Sequence, residues 1–452
     1  MRNLHSTFRT ALAAATCLTA AGTAMAQTTP APAAATPAPA AAPAAPPAGY
    51  WINGIHLFTQ IQGGITANPS SPKLNTGHLF TDRSNQPLLN QVVLGAEKKL
   101  DPKATGIDWG FKIYAMYGSD ARYTHFLGLG DQAVPKSERN QFDIVDANVS
   151  LHLPVSFFEG GLDVKAGLYA TPLGAELIDP ATNPFYSHSY IFNYAAPLKH
   201  TGALATIHAT GVLDLYIGVD TGANTTWGSS GENNNSIAGI LGFGLNLMDG
   251  NLTVLALSHF GPENATRALG PAFDANKYMR YYNDLVVVYK PNDKLTLTGE
   301  ATWAMDEFGG FATKGKAAQA NAFGLAGYAS YALSDTVTLN ARAEVFRDDN
   351  GFFVALFPGN YDPIYTQKGI PAPQNTTVGV PAATYGALTL GVTWKPEVPK
   401  PITSLAIRPE LRVDQSLGGN AVFNRSFNRS RGAYTFKDTT AVTFGIDAVL
   451  TF

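Results

Sequence analysis

The final twelve residues of the chain, Ala441-Val-Thr-Phe-Gly-Ile-Asp-Ala-Val-Leu-Thr-Phe452, alternate between apolar side chains and small or polar ones. One face carries Val442, Phe444, Ile446, Ala448, Leu450 and Phe452, and the other carries Thr443, Gly445, Asp447 and Thr451. Successive side chains of a β-strand point to opposite faces, so the alternation predicts a strand with one apolar and one wet face. A tilted strand of roughly 9–11 residues crosses a bilayer, and this segment is long enough to do so.

The segment before it, Leu405–Asp414, has the same period of two with a stronger contrast. One face carries Leu405, Ile407, Pro409, Leu411 and Val413, and the other carries Arg408, Glu410, Arg412 and Asp414. An arginine on the lipid-facing surface of a barrel costs roughly 2–4 kcal/mol near the bilayer midplane. The four charged side chains are therefore expected to face a wet interior, which predicts a wall strand of a transmembrane barrel.

The same contrast recurs earlier in the chain. Apolar residues at alternate positions oppose polar ones in Trp109–Ala115, Leu162–Tyr169, Leu213–Asp220 and Leu339–Val345. The polar faces give a predicted set of pore-lining residues: Lys112, Asp163, Lys165, Asp214, Glu300, Arg342, Glu344, Arg408, Glu410, Arg412 and Asp414. Charges of both signs around a lumen would create a transverse field that favours small polar solutes over apolar ones.

The links between these segments alternate in length. Turn-like links fall at 101–106, 155–160, 210–211, 249–250, 292–293, 334–335 and 397–401. Long polar links fall at 67–87, 120–138, 170–199, 222–235, 261–277, 305–319, 348–383 and 415–437. Short periplasmic turns and long external loops are the rule in outer-membrane barrels. The pattern predicts an all-β, antiparallel transmembrane β-barrel of about sixteen strands over residues 49–452, with both termini in the periplasm. Segments 251–260 and 319–332 alternate poorly.

The composition agrees with a membrane barrel. Charged residues make up 14% of the chain, against roughly 25% in soluble domains. Hydrophobic residues make up 45%, yet no stretch beyond the N-terminus approaches the roughly 18 consecutive apolar residues of a membrane helix. The formal net charge is -3 without a run of basic residues, which argues against nucleic acid as a partner. The one cysteine, Cys17, lies near the N-terminus.

The N-terminus has the features of an export signal. A basic start is followed by the apolar stretch Ala11–Ala21, and Ala24-Met-Ala26 provides a small-x-small cleavage site. Residues 1–26 are therefore predicted to be a cleaved signal peptide. Residues 27–48 are almost only Ala, Pro and Thr, which predicts an extended tether outside the folded barrel.

The third long link, Ala170–Lys199, is the candidate constriction of the lumen. Four prolines stiffen it. Its polar candidates for narrowing the channel are Glu176, Asp179, His188 and Lys199.

Six short stretches carry a family resemblance. They are Gly167-Leu-Tyr-Ala-Thr-Pro-Leu-Gly174, Asn183-Pro-Phe-Tyr-Ser-His-Ser-Tyr190, His200-Thr-Gly202, Leu89-Asn-Gln91, Arg342-Ala-Glu-Val-Phe-Arg-Asp348 and Ile407-Arg-Pro-Glu-Leu-Arg412. These stretches resemble the OmpL-like β-barrel porin family over most of residues 50–452. The export signal and the strand pattern indicate the outer membrane of a Gram-negative bacterium, and sixteen strands would leave an aqueous channel through which small hydrophilic solutes diffuse passively. The resemblance itself implies a porin-like protein. It supplies no catalytic residue and no solute.

The carboxyl end also suggests partners. Phe452, preceded by apolar residues at every second position, resembles the assembly signal that the outer-membrane barrel assembly machinery reads. That machinery, outer-membrane lipid, lipopolysaccharide and small hydrophilic solutes are the expected partners, and a homotrimer is one of two assembly states left open. Arg425, Arg429 and Arg431 would meet lipopolysaccharide phosphates, steer anions toward the channel, or form a solvated loop tip.

Two other functions stay open. A barrel with a plugged lumen would be a non-conducting structural protein, or one that binds a partner through its loops. A surface enzyme would need catalytic side chains near the rim, and His188 shares its link with Ser187, Ser189 and Asp179. Ordinary polar loop residues are the simpler interpretation of this group.

Other chemical motifs are weak. Gly310–Lys316 has the spacing of a phosphate loop, but Ala317 stands where a magnesium-binding Ser or Thr is needed. The histidines are scattered, with no pairing at the spacing typical of metal ligands. The sequence therefore predicts no cofactor, no metal site and no enzyme.

Overall fold

The computed structural model describes residues 50–71, 73–131, 138–226, 234, 236–266, 274–308, 318–369, 377–428 and 433–452. Sixteen long strands form the wall of a barrel. They are β1 (Ile55–Ala67), β2 (Pro87–Lys98), β3 (Asp108–Gly118), β4 (Gln141–Leu153), β5 (Leu162–Ala170), β6 (Lys199–His208), β7 (Leu213–Asp220), β8 (Ala238–Leu247), β9 (Leu252–Pro262), β10 (Met279–Asn292), β11 (Leu295–Asp306), β12 (Ala320–Ala332), β13 (Val337–Asp348), β14 (Ala383–Trp394), β15 (Ser404–Ser416) and β16 (Thr440–Thr451).

The wall is antiparallel and closed. Each strand pairs with its neighbours along the sequence, and β16 returns to pair with β1. The closing register sets Ile65 opposite Ile446 and Ile61 opposite Leu450. The two segments that alternate poorly in the sequence form β9 and β12, each paired on both sides. The prediction of an all-β antiparallel barrel with about sixteen strands is confirmed.

The links alternate in length as the sequence predicts. Eight long links, named L1 to L8, span 68–86, 119–140, 171–198, 221–237, 263–278, 307–319, 349–382 and 417–439. Seven short ones span 99–107, 154–161, 209–212, 248–251, 293–294, 333–336 and 395–403. The two rims of the barrel are called the long-loop end and the short-turn end below.

Short elements occur in and beside the links. In the described segments the helices are Ala121–Thr124, Tyr190–Tyr194 and Asp362–Gln367, and the 3₁₀ turns are Pro180–Thr182, Met248–Gly250 and Ala275–Lys277. Ala355–Leu356 pairs with Val378–Gly379, Ser426–Asn428 pairs with Ala433–Thr435, and Tyr50–Ile52 pairs with the start of β1. Among the described residues, no helix is long and apolar enough to cross a membrane.

The outward faces of the strands are apolar. Large side chains stand exposed around the wall at Leu94, Val149, Ile217, Leu241, Leu325, Leu388 and Phe444. Trp109, Tyr289 and Trp394 are exposed toward the short-turn end. An apolar band with aromatic residues at its edge is typical of a barrel wall in contact with lipid.

The hydrophobic core lies inside the barrel. The ring of Phe80 in L1 lies 5.5 Å from that of Tyr123 in L2 and 5.4 Å from that of Phe192 in L3. Tyr190 of L3 stacks on Tyr385 of β14 with ring centroids 4.9 Å apart. All five rings are buried. L1, L2 and L3 therefore fold into the long-loop half of the lumen, where their aromatic side chains leave water.

Gly64 on β1 marks a close approach between L3 and the wall. A Cβ at this position would come within 2.7 Å of the Asp447 Cβ and of the Tyr186 ring. The pairing of β1 with β2 shifts register between Gln62 and Gly63, just before this point, and such bulges bend a strand locally. Glycine is needed here because any side chain would displace the ring of L3 from the wall.

Candidate functional site: the third loop and the interior wall

L3 leaves β5 and crosses the lumen to the opposite wall. The backbone N–H of Gly174 donates to Asp284 Oδ2 of β10 at 3.0 Å. The next N–H, that of Ala175, donates to Glu300 Oε1 of β11 at 3.0 Å. Glu300, a predicted pore-lining residue, is buried beneath the loop. Two wall carboxylates thus hold the start of L3 on the far side of the barrel.

Further along L3, carboxylates of β15 and β13 accept more backbone N–H groups. Glu410 Oε2 accepts from Tyr186 at 2.9 Å, and Glu410 Oε1 accepts from Ser187 at 3.1 Å. Glu344 Oε2 accepts from Tyr190 at 2.7 Å. Hydrogen bonds to a charged acceptor are roughly twice as strong as those between neutral groups. These bonds satisfy L3 amides that would otherwise be buried without a partner.

Arginines of β15 bind the carbonyl oxygens of the same loop. Arg408 Nη1 donates to the carbonyls of Pro180 at 2.7 Å and Asn183 at 2.6 Å. Arg412 Nη1 donates to the carbonyl of His188 at 2.7 Å. Wall side chains therefore form hydrogen bonds with both the N–H groups and the carbonyl oxygens of L3.

Arg342 and Glu176 form the central ion pair between wall and loop. Arg342 Nη1 lies 2.7 Å from Glu176 Oε1 and donates to the Ser187 carbonyl at 2.9 Å. His188 Nδ1 lies 2.7 Å from the other oxygen, Glu176 Oε2. Burial would raise the pKa of Glu176, but Arg342 and His188 outweigh burial and lower this pKa to about 2. Glu176 is thus a carboxylate near neutral pH, held at both oxygens.

The charges on β13 and β15 face the interior of the barrel but are covered by L3. The sequence predicts that they line open water. They are instead in direct contact with L3 or with one another, and all are buried: Arg342, Glu344, Arg408, Glu410, Arg412 and Asp414. The reason is that L3 brings polar backbone groups into the lumen, and these groups need partners there. These six side chains therefore position the loop and do not present a free charged face to water.

The remaining predicted wall charges lie on the other side of the lumen, on β3, β5 and β7. Lys165 is exposed, and Lys112 pairs with Asp146 at 2.9 Å while keeping 38% of its side chain exposed. Asp163 and Asp214 are partly exposed at 29% and 35%. This wall is accessible to water in the short-turn half of the barrel.

The four constriction candidates separate into two groups. Glu176, Asp179 and His188 lie in L3, where Asp179 Oδ1 accepts a hydrogen bond from Gln60 Nε2 at 3.2 Å. Lys199 is different: it is the first residue of β6, fully buried and ion-paired with Asp143. Its assignment to the constriction loop was wrong because the strand begins one residue earlier than the polar pattern suggests.

Two interior cavities border L3, and a third lies against the wall strands β2 to β6. One of about 450 Å³ at the long-loop end is lined by residues that include Tyr194, Glu263 and Arg280. Two lie toward the short-turn end: one of about 290 Å³ beside Arg408, and one of about 300 Å³ beside Lys165. L3 therefore lies between the outer cavity and the inner cavity beside Arg408.

The serine, histidine and aspartate side chains of L3 do not assemble into a catalytic group. Ser187 Oγ accepts from Arg342 Nη2 at 3.1 Å, and Ser189 Oγ accepts from the Phe192 N–H at 3.1 Å as a helix cap. The ring of His188 stacks on Phe192 with centroids 4.1 Å apart. The hydrogen bonds of the two hydroxyls thus serve to hold the loop.

Two of the sequence motifs fall outside the described residues. The phosphate-loop-like stretch 310–316 is one, and the loop arginines Arg429 and Arg431 are the other. Phe452 lies within the described residues, and its backbone N–H donates to the Thr59 carbonyl at 2.9 Å. The role of Phe452 as an assembly signal stays a prediction.

The structure contains an ion pair between L1 and L2 that the sequence did not predict. Arg122 binds both oxygens of Asp82, at 2.8 and 3.1 Å, and both residues are buried. Burial would raise the pKa of Asp82, but Arg122 and Arg83 together outweigh burial, and the pKa is lowered. Asn90 and Gln91, in one of the stretches that carry the family resemblance, donate to Asp120 of L2. The amide side chains of Asn90 and Gln91 were the feature of the sequence that could have indicated this polar cluster between L1, L2 and the wall.

The pKa of Glu176 leads to a prediction on acid stability. Because the folded-state pKa of about 2 lies below the ordinary value of 4.5, this group stabilises the fold above pH 4.5 and loses that effect as the pH falls toward 2. Between pH 6 and pH 3 the loss should reach roughly 2 kcal/mol. Urea unfolding of the barrel in vesicles at both pH values measures it. Glu176→Gln should remove this part of the pH dependence, and Glu397→Gln, an exposed control, should not. Equal slopes in Glu176→Gln and the unaltered chain would refute the assignment.

Comparison with known protein families gives one match. The family described as "Putative beta-barrel porin-2, OmpL-like" matches residues 54–452. No curated protein matches the chain.

Several solved structures share the fold. The outer membrane channel DcaP of Acinetobacter baumannii has a TM-score of 0.50 at 11% identity, over 90% of this chain and 100% of its own. The anion-selective porin from Comamonas acidovorans has a TM-score of 0.51 at 10% identity, over 88% and 99%. Salmonella typhi OmpF, in complex with daunomycin, has a TM-score of 0.50 at 10% identity, over 88% and 97%. At these identities the likeness concerns the barrel fold alone.

Proposed function

We propose, because the chain belongs to the OmpL-like β-barrel porin family, that small hydrophilic solutes diffuse through its lumen past L3. The family places the protein in the outer membrane as a porin. The class of solute and the place where its passage is restricted are proposals that go beyond the family.

One observation carries the proposal: L3 is fixed across the lumen by charged wall residues, with one cavity on each of its two sides. A constriction of this kind limits solutes by size. The inner spaces are lined by hydroxyl, amide and charged side chains such as Thr298, Asn340 and Lys165. Polar linings of this kind favour hydrated solutes over apolar ones.

The first test is single-channel recording in a planar bilayer. Protein isolated from the outer membrane of an expressing host should give stable, stepwise openings whose conductance rises with salt concentration. A barrel that is folded, as judged by its altered gel mobility without boiling, but never conducts would contradict the proposal.

Ion selectivity gives a second, more local prediction. Lys165 is exposed in the inner part of the lumen, so Lys165→Glu should shift the reversal potential in a salt gradient toward cation selectivity. The permeability ratio should change on the order of twofold at low salt, and less at 1 M, where the screening length falls to about 3 Å. Lys294→Glu, in an exposed short turn, is the matched control. If both variants shift the potential equally, Lys165 does not act on the permeating ions.

The export and assembly steps are proposed on sequence grounds. Residues 1–26 would be removed during export and residues 27–48 would remain as a tether, which the mass of the isolated protein tests. We also propose that Phe452 is read by the assembly machinery and that the barrel contacts lipopolysaccharide. Assembly as a homotrimer is a further proposal, tested by the mass of the protein in native detergent complexes.

A further inference from the structure

His200, Asp220 and His259 meet at the long-loop end of the barrel. They come from β6, β7 and β9, and all three side chains are fully buried. One nitrogen of each histidine and one carboxylate oxygen lie within 4.8 Å of one another. The sequence separates these residues by whole strands and links, so that no metal-ligand spacing is visible in it.

One of the two contacts within this trio is not a hydrogen bond. His200 Nδ1 lies 3.1 Å from Asp220 Oδ2, yet neither atom makes a hydrogen bond. His259 Nε2 lies 3.2 Å from the other oxygen, Asp220 Oδ1. A buried polar atom without a hydrogen-bond partner lowers the stability of the fold. An ion bound by both His200 Nδ1 and Asp220 Oδ2 would remove this cost.

A metal ion fits these distances. Zn²⁺ binds imidazole nitrogen and carboxylate oxygen at roughly 2.0–2.2 Å, and tetrahedral geometry then separates neighbouring ligand atoms by roughly 3.3 Å. Two imidazoles and one carboxylate also form a ligand set that suits first-row transition metals more than Ca²⁺ or Mg²⁺. We propose that His200, Asp220 and His259 bind a divalent transition-metal ion, Zn²⁺ being the probe of choice.

The atoms behind two of the three ligands support this assignment. Histidines that bind metal use the other ring nitrogen for a second partner that fixes the ring. The Nε2 atom of His200 has such a partner in Thr171 Oγ1 at 3.0 Å. The Nδ1 atom of His259 makes no hydrogen bond to a described residue, and Glu263 Oε1 lies 3.9 Å from it. Asp220 is oriented by the Gly222 N–H, which donates to Oδ1 at 2.7 Å.

The surroundings of the site connect it to the outer cavity and to L3. Glu263 lies 3.9 Å from His259 and also lines the outer cavity of about 450 Å³, so an ion from this cavity would have to displace this carboxylate to reach the buried trio. Thr171 is the first residue of L3, and its N–H donates to the Leu198 carbonyl at 2.9 Å, where the loop returns. A bound ion would thus fix the base of L3 through His200.

The test is metal binding by the whole protein isolated from the outer membrane and stripped with a chelator. We expect one Zn²⁺ per chain by equilibrium dialysis and elemental analysis, and a tetrahedral absorption spectrum with Co²⁺. The isosteric variants Asp220→Asn and Thr171→Val should each weaken binding at least about tenfold. Their altered gel mobility without boiling shows that they fold.

The matched control lies on the same strand. Asp214 of β7 pairs with His208 at 2.7 Å near the short-turn end, where both side chains are partly exposed. Asp214→Asn should leave the stoichiometry and affinity for Zn²⁺ unchanged. If the unaltered chain binds no more Zn²⁺ than Asp220→Asn does, the trio is an ionic hydrogen-bond cluster and the proposal is wrong. The proposal would also be wrong if Asp214→Asn lost Zn²⁺ binding while Asp220→Asn kept it.

Discussion

Replacing Arg342 by alanine is expected to lower the free energy of unfolding by about 3–5 kcal/mol, the range measured when one partner of a buried ion pair is removed. Arg342 pairs with Glu176 at 2.7 Å and with Glu344 at 3.3 Å. It also donates to the carbonyl and the hydroxyl of Ser187. The substitution would leave Glu344 with Arg412 as its remaining cation and Glu176 with His188 alone, and it would release the middle of L3 from the wall.

The same variant should alter the channel. Because L3 lies between the outer and inner cavities, its release should raise the single-channel conductance and make it noisier. Arg347→Ala is the matched control, since Arg347 is on the same strand but exposed, with a single hydrogen bond to Thr384. Stability is measured by urea unfolding in lipid vesicles. If the two variants lose the same stability, Arg342 does not anchor the loop.

Leu325→Arg should cost roughly 2–4 kcal/mol of stability in a bilayer. Leu325 lies at the middle of β12, 63% exposed on the outward face, opposite Val345 of β13. A charge at this depth would sit in the hydrocarbon, far from either interface. The expected loss is specific to lipid, and it should be smaller when the protein is held in detergent micelles, which deform around a charge more easily.

Leu333→Arg is the control for this prediction. Leu333 is similarly exposed, at 59%, but lies in the short turn that follows β12. Near an interface the same charge should cost only about 0–1 kcal/mol. Urea unfolding of both variants in lipid vesicles measures the difference in their free energies of unfolding. Equal costs at the two positions would mean that the middle of β12 is not at the centre of the bilayer.

The wall of the barrel could be predicted because lipid imposes a strict pattern. In β15 the alternation of Leu405 to Asp414 leaves one possible orientation, since the charges cannot face hydrocarbon. The pattern is weaker in β9, where Leu255 and Leu257 face inward and pack against the interior core. An inner face that contacts packed loop residues can be as apolar as an outer one, so that alternation is lost. In β12, Gly324 faces Ile191 of L3 for the same reason.

The inner site could be predicted only in part. The sequence identified Glu410 and Arg408 as inward-facing, because charge and period suffice for that. Their partners are backbone groups of L3, which every residue possesses and which therefore leave no signature in a sequence. Tyr186 and Glu410, for example, are 224 residues apart. The convergence of His200 and His259 was also hidden, because the register of three neighbouring pairings decides it.

The contacts of L3 with the closing seam have a consequence for the order of folding. Arg408 of β15 binds Asp447 of β16 and the Pro180 carbonyl of L3, and Gln60 of β1 binds Asp179 of L3. These groups lie where the first and last wall strands pair. L3 can complete these contacts only when the first and last strands have come together. Pairing of such distant segments is slow, so the final placement of L3 is expected to be a late step of folding.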